Sequence, residues 1–95
     1  MVPQDIEDTE TAKVFRKAIK GKNGRKRCCH AVKILVKRAE ILPEKQEECV
    51  FFLVRITREC GVKSVIDAIA RFAVNNPRKR EFYAQLNSEV CFHAP

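Results

Sequence analysis

Lysine and arginine are concentrated in one segment of the sequence, where they have the chemistry to bind phosphate groups. Between Lys13 and Arg38 there are eleven basic residues and no acid, whereas acids cluster at 5–10 and 40–48. Each cation that neutralises a phosphate releases counterions from a nucleic acid, which supplies most of the non-specific affinity. An ordinary solvated helix face and a nuclear-import signal around 25–27 are the alternatives. The predicted phosphate-binding residues are Lys13, Arg16, Lys17, Lys20, Lys22, Arg25, Lys26, Arg27, Lys33 and Lys37.

A second group of cations, Arg78, Lys79 and Arg80, follows Asn76 and Pro77. Proline is favoured at the first position of a helix and asparagine just before it. This spacing predicts that the three cations lie on the first turn of a helix, where they oppose its dipole but converge with free backbone amides on an anion. A later helix start, or neutralisation by Glu81, is the alternative.

Cysteine and histidine supply enough ligand types for a zinc site. Cys28, Cys29 and His30 are consecutive, and Cys91 and His93 lie near the other end of the chain. However, adjacent helical residues point about 100° apart and no Cys-x2-Cys pair is present, so we predict no metal and no other cofactor. Five cysteines are an odd number, which favours reduced thiols, with Cys28, Cys49 and Cys60 acting mainly as small apolar core residues.

The arrangement of serines and acids does not indicate catalysis. The only serines are Ser64, a predicted helix cap, and Ser88, and neither belongs to a recognisable nucleophile and base pair. Gly61 to Ser64 has some character of the turn in a helix-turn-helix unit, but Asp67 falls at a position that should be apolar there. A plain helical hairpin is the favoured interpretation, and we predict that the protein is not an enzyme.

The elements that position these residues are predicted to be five helices. Helix one follows the acids at 8–10 and ends at Gly21, and helix two covers 25–42 with apolar residues spaced by three and four. Helix three covers 43–60, and its apolar surface spreads around much of its circumference, so it should be central in the core or pair with another molecule. Phe51 is the candidate residue for such a protein interface.

The last two helices are predicted from capping signals. Ser64 and Asp67 have the form of a capping box, so helix four should run from Ser64 to about Val74. Helix five should start at 76–77 and include Leu86, and the following residues are too short a segment to classify. The predicted core consists of Phe15, Ile19, Val32, Leu35, Val36, Phe52, Leu53, Ile56, Ile69, Phe72 and Leu86.

Length and composition limit the fold class. The chain has 95 residues, of which 45% are hydrophobic and 33% charged, which suits one packed domain. We predict an all-α, single-domain bundle of about five short helices, with an acidic arm at 1–8, the helical domain at 9–88 and a tail at 89–95. No apolar run approaches the roughly 20 residues of a membrane span, so no membrane partner is expected. The acidic start, Met1 to Glu10, has no secretory pattern, which favours an intracellular location.

The net charge of +7 points to a polyanionic partner. The leading hypothesis is a non-enzymatic nucleic-acid-binding or ribonucleoprotein-associated protein that contacts the phosphates of DNA or RNA through residues 13–38. The alternative is a small helical interaction module, such as an adaptor, complex subunit or inhibitor, that docks on an acidic protein surface. In that case the apolar excess around Phe51 would support self-association or a second partner.

Overall fold

Helices account for nearly all of the chain in the computed structural model, which describes residues 5–94. Three short 3-10 turns precede α1, α3 and α5, at Ile6–Asp8, Pro43–Lys45 and Pro77–Lys79. Within the described residues there is no strand, so the predicted all-α fold is confirmed. The five helices are α1 Glu10–Ile19, α2 Gly24–Ile41, α3 Gln46–Cys60, α4 Val62–Asn75 and α5 Arg80–His93.

The third helix is central, as its wide apolar surface predicts. It packs against α1, α2, α4 and α5. Cys49, Phe52, Leu53 and Ile56 on this helix are fully buried. The rings of Phe52 and Phe15 stack with centroids 4.7 Å apart and thereby join α3 to α1. Apolar residues that surround the circumference of one helix thus let it contact four others.

The predicted core is mostly correct. Nine of the eleven predicted core residues are buried, and the two others, Ile19 and Phe72, are half-buried and pack against the same cluster. The sequence prediction omitted Tyr83 and Val90 of α5, whose exposed fractions are 2% and 0%. Both lie on the face of α5 that also carries Leu86, at helical spacing.

A buried polar network joins the first three helices. The Thr11 hydroxyl on α1 donates to a carboxylate oxygen of Glu48 on α3 at 2.6 Å, and Arg38 Nε on α2 donates to the same hydroxyl at 2.9 Å. Thr11 and Glu48 are both buried. These bonds satisfy groups that would otherwise be costly to remove from water.

Three of the predicted helix starts are wrong, and in each case the preceding residues explain the shift. α3 begins at Gln46 and not at Pro43, because Pro43–Lys45 form a 3-10 turn. α4 begins at Val62 because Gly61, at φ +89°, turns the chain out of α3 in a single residue, so Ser64 lies inside the first turn and caps nothing. α5 begins at Arg80 because 77–79 form a 3-10 turn. The Asn76 side chain instead donates to the Phe72 carbonyl at the end of α4.

Both predicted terminal segments differ from the structure where it describes them. Residues 1–4 of the predicted acidic arm lie outside the described residues. Ile6 is buried under the bundle, and Glu7 accepts hydrogen bonds from Arg55, which lower the pKa of Glu7. The predicted tail is the end of α5, which continues to His93 because Val90 packs in the core.

Among the described helices, none is long and apolar enough to cross a membrane.

Candidate functional site

The outer faces of α1 and α2, with the turn between them, carry exposed cations that have no ion pair within residues 5–94. We call this group the cationic surface. The turn between α1 and α2 is short, so the two helices are consecutive neighbours and pack against each other. Their apolar faces point into the core, which leaves the charged faces to solvent. The cationic surface consists of Lys17, Lys20, Lys22, Arg25, Lys26, Lys33 and Lys37.

Three of the ten predicted phosphate-binding residues are engaged elsewhere in the protein. Lys13 Nζ lies 3.9 Å from a Glu10 carboxylate oxygen, and Arg16 donates to the backbone carbonyl of Glu7 at 3.1 Å. Arg27 makes two hydrogen bonds to the Glu59 carboxylate, at 3.0 and 3.1 Å. The charge of Arg16 also acts on the Glu7 carboxylate and helps to lower the pKa of Glu7, while Arg27 is neutralised by an acid that lies far away in the sequence.

Cationic residues also crowd the start of α2, where they are electrostatically unfavourable. Arg25, Lys26 and Arg27 occupy the first turn, no acid is present there, and Asn23 makes no capping hydrogen bond with its side chain. Each such cation opposes the helix dipole by about 0.3–1 kcal/mol. Gly24 has φ +57°, a conformation that glycine adopts at little cost. The start of α2 therefore concentrates positive charge at a position where that charge destabilises the helix.

Two contacts with the end of α3 hold this start in place. One is the Arg27 and Glu59 pair, and the other is a disulfide between Cys28 and Cys60, whose Cα atoms are 6.4 Å apart. The prediction of reduced thiols is therefore wrong for these two residues. They are 32 positions apart in the sequence, and only the packing of α2 on α3 brings them together. Cys29, Cys49 and Cys91 are free, and burial raises the pKa of the Cys49 thiol to about 12.

The potential metal ligands near this disulfide differ from those that the sequence suggests. One ligand atom each from Cys28, Glu59 and Cys60 lie within 4.8 Å of one another. However, the two sulfurs bond to each other and the carboxylate is held by Arg27. The ligands in this arrangement are thus already used, and the chemistry that remains available is that of a disulfide. His93 lies 3.8 Å from Glu89 on its own helix.

The second cationic cluster does not lie on the first turn of α5, because 77–79 form the 3-10 turn and only Arg80 is helical. The alternative of a later helix start is the correct one. Lys79 pairs with Glu40 of α2, while Arg78 and Arg80 are exposed without a partner among the described residues.

Glu40 is a residue that the sequence analysis missed. It accepts a hydrogen bond from Lys79 and another, at 3.0 Å, from the Tyr83 hydroxyl. The Lys79 hydrogen bond, reinforced by that of Tyr83, lowers the pKa of Glu40, and burial together with the Glu40 charge raises the pKa of Tyr83. We call these three residues the Glu40 cluster. The only sequence signal was that Glu40 stands at the end of the acid-free segment.

Phe51 lies on the wall of a groove between α3 and α5 with a volume of about 460 Å³. It is half-buried, and its ring meets the edge of Phe52 and lies 5.1 Å from the Arg55 guanidinium. Val50 and Val54 line the same groove, with Glu47, Arg58, Glu89 and His93 around them. Phe51 thus packs partly against the core and is not a fully exposed surface residue.

Comparisons of the chain with protein-family models, with curated proteins and with solved structures found no match.

Proposed function

We propose that this protein binds nucleic acid without catalysis, through contacts between the cationic surface and phosphate groups. One observation carries the proposal: seven exposed cations on two packed helices and their turn form no ion pair within residues 5–94, although the charge of Lys37 also acts on Glu40, one helical turn away. Lys33 and Lys37 are four residues apart on one helix, so they repel each other. A polyanion that binds there removes this repulsion and releases its own counterions.

The chemistry of this surface favours phosphate contact over base recognition. Six of its seven members are lysines, which act as mobile point charges rather than as rigid bidentate donors. Phosphate contacts position a protein on a nucleic acid but carry no sequence information. We therefore expect binding to DNA and RNA with little sequence preference and with a strong dependence on salt.

The experiment measures affinity for a duplex DNA and for an RNA over a series of salt concentrations. In the Lys33→Gln/Lys37→Gln variant, the slope of log affinity against log salt should decrease by roughly two for duplex DNA, because each lost phosphate contact removes about 0.9. The matched control is Arg58→Gln/Arg71→Gln, which removes the same charge from exposed residues on α3 and α4. Affinity that is absent at low salt, or that decreases equally in both variants, would contradict the proposal.

A second candidate function is supported by the Phe51 groove. An adaptor or inhibitor that docks its cationic surface on an acidic protein could use this groove for another contact, since its floor is apolar and its rim carries both signs of charge. Capture of a protein partner that resists nuclease treatment and is lost in Phe51→Asp, but not in Lys33→Gln/Lys37→Gln, would favour this function. Copurification of nucleic acid that nuclease removes would favour the first.

A further inference from the structure

The disulfide between Cys28 and Cys60 lies on the wall of a solvent-accessible cavity of about 370 Å³. Both cysteines are half-buried, so the bond is not enclosed in the core. The side chains of Arg25, Arg27, Cys29 and Glu59 line the same cavity. A molecule of a few heavy atoms can therefore approach the sulfurs without unfolding of the bundle.

The charges around this cavity favour the approach of an anionic molecule. Glu59 neutralises Arg27 through two hydrogen bonds, which leaves Arg25 as an exposed guanidinium without a partner in the described structure. The exposed Lys26 follows it on the same turn. The starts of α2 and α4 each add the positive end of a helix dipole on this side, while the end of α3 at Cys60 adds one negative end. The net charge that faces the cavity is thus positive.

We propose that Cys28–Cys60 is a site of thiol–disulfide exchange with small anionic thiols. The incoming thiolate attacks Cys60 Sγ and forms a mixed disulfide with it, while the electron pair of the broken S–S bond leaves with the Cys28 sulfur. The resulting Cys28 thiolate lies in the first turns of α2, on the wall of the cavity that Arg25 also lines, where positive charge stabilises it. It then takes a proton from solvent or attacks the mixed disulfide and restores the original bond.

The other cysteines show by contrast why this position is suited to exchange. Cys49 is fully buried, and its raised pKa leaves almost no thiolate at neutral pH. Cys29 and Cys91 are exposed but are not part of a disulfide. Among residues 5–94, Cys28 and Cys60 are therefore the pair that offers an accessible S–S bond beside unpaired positive charge. This inference does not depend on nucleic-acid binding.

The experiment compares the rates at which thiols of different charge open the disulfide in the folded protein. The starting protein is the oxidised Cys29→Ser/Cys91→Ser variant, so that no other accessible thiol reacts. Mercaptopropionate, mercaptoethanol and cysteamine supply an anionic, a neutral and a cationic thiol, and rates are compared at equal thiolate concentration. Each rate is divided by the rate of the same thiol with a small-molecule disulfide, because thiolates of higher pKa are stronger nucleophiles whatever their charge. Alkylation followed by mass spectrometry measures the opened disulfide and the mixed disulfide on Cys60.

We expect mercaptopropionate to react faster than cysteamine, by roughly threefold for each pair of unit charges about 6 Å apart in water. Arg25→Gln should remove most of this preference, whereas Arg78→Gln, which neutralises another exposed and unpaired arginine, should retain it. Three results would overturn the proposal: no Cys28–Cys60 link in peptide mapping, a preference that persists in Arg25→Gln, or one rate for all thiols that equals the rate of global unfolding.

Discussion

The cationic surface and the Glu40 cluster both contain lysine and use it differently. Both draw on α2, but Lys33 and Lys37 extend into solvent, whereas Lys79 donates to Glu40, which also accepts a hydrogen bond from the Tyr83 hydroxyl. In the Glu40 cluster the cation joins α2 to the 3-10 turn that precedes α5. On the cationic surface the cations form no ion pair within residues 5–94 and remain available to a partner, although the charge of Lys37 also lowers the pKa of Glu40. The position of acids that are distant in sequence decides which role a lysine has.

The largest effect is expected from removal of the acid in the Glu40 cluster. Glu40→Ala should lower the free energy of unfolding by about 1–2 kcal/mol, because the buried Tyr83 hydroxyl loses its acceptor. The exposed Lys79 loses its ion pair as well. Urea denaturation measures the change. Glu44→Ala, at an exposed acid three residues beyond α2, should change stability by less than about 0.5 kcal/mol.

The same variant has a defined pH dependence. The folded-state pKa of Glu40 is lowered, so the stabilisation by its charge is complete above the ordinary glutamate pKa and is lost as the pH falls through the lowered value. The difference between the native chain and Glu40→Ala should therefore be largest at neutral pH and shrink in acid. A difference that grows as the pH falls would mean that the charge of Glu40 is not what stabilises this contact.

An intermediate effect is expected from the exposed arginines beside the Glu40 cluster. Arg78→Gln/Arg80→Gln should weaken nucleic-acid binding less than Lys33→Gln/Lys37→Gln does, because the two arginines are separate from the cationic surface in sequence and do not cap α5. Lys79 is left unchanged, since its loss would break the pair with Glu40. Titration at one salt concentration measures the nucleic-acid affinity of both variants. An equal loss of affinity would show that the binding surface includes the 3-10 turn at 77–79.

The smallest effect is expected from chelation of metals. The sulfurs of Cys28 and Cys60 are joined to each other, and Arg27 holds Glu59, so no structural zinc should contribute to folding. Addition of a strong chelator should leave the Tm unchanged. A decrease in Tm that added zinc reverses would show that these residues, or the histidines, hold a metal.

The periodicity of apolar residues predicted most of the core, because it depends on neighbours three and four positions apart, and together with the boundary signals it predicted the number of helices. Local capping signals were less reliable, since Gly61 and the turn at 77–79 moved the helix starts away from Ser64 and Asn76. The ion pairs that separate the paired cations from the unpaired ones could not be predicted from the sequence. Arg27 and Glu59 are 32 residues apart, and Lys79 and Glu40 are 39 apart, so only the packed bundle brings them together.

The single-residue connection at Gly61 makes the two halves of the molecule unequal in their tolerance of inserted residues. α3 ends at Cys60 and α4 begins at Val62, so an extra residue there would rotate α4 by about 100° about its axis and turn Val65 and Ile69 away from the core. The turn at 20–23 is exposed throughout and contains a glycine at φ +76°. Added length at that turn only enlarges a surface loop. A peptide inserted between α1 and α2 should therefore leave the fold intact while it interrupts the cationic surface at Lys20 and Lys22, and the chain around Gly61 must keep its length.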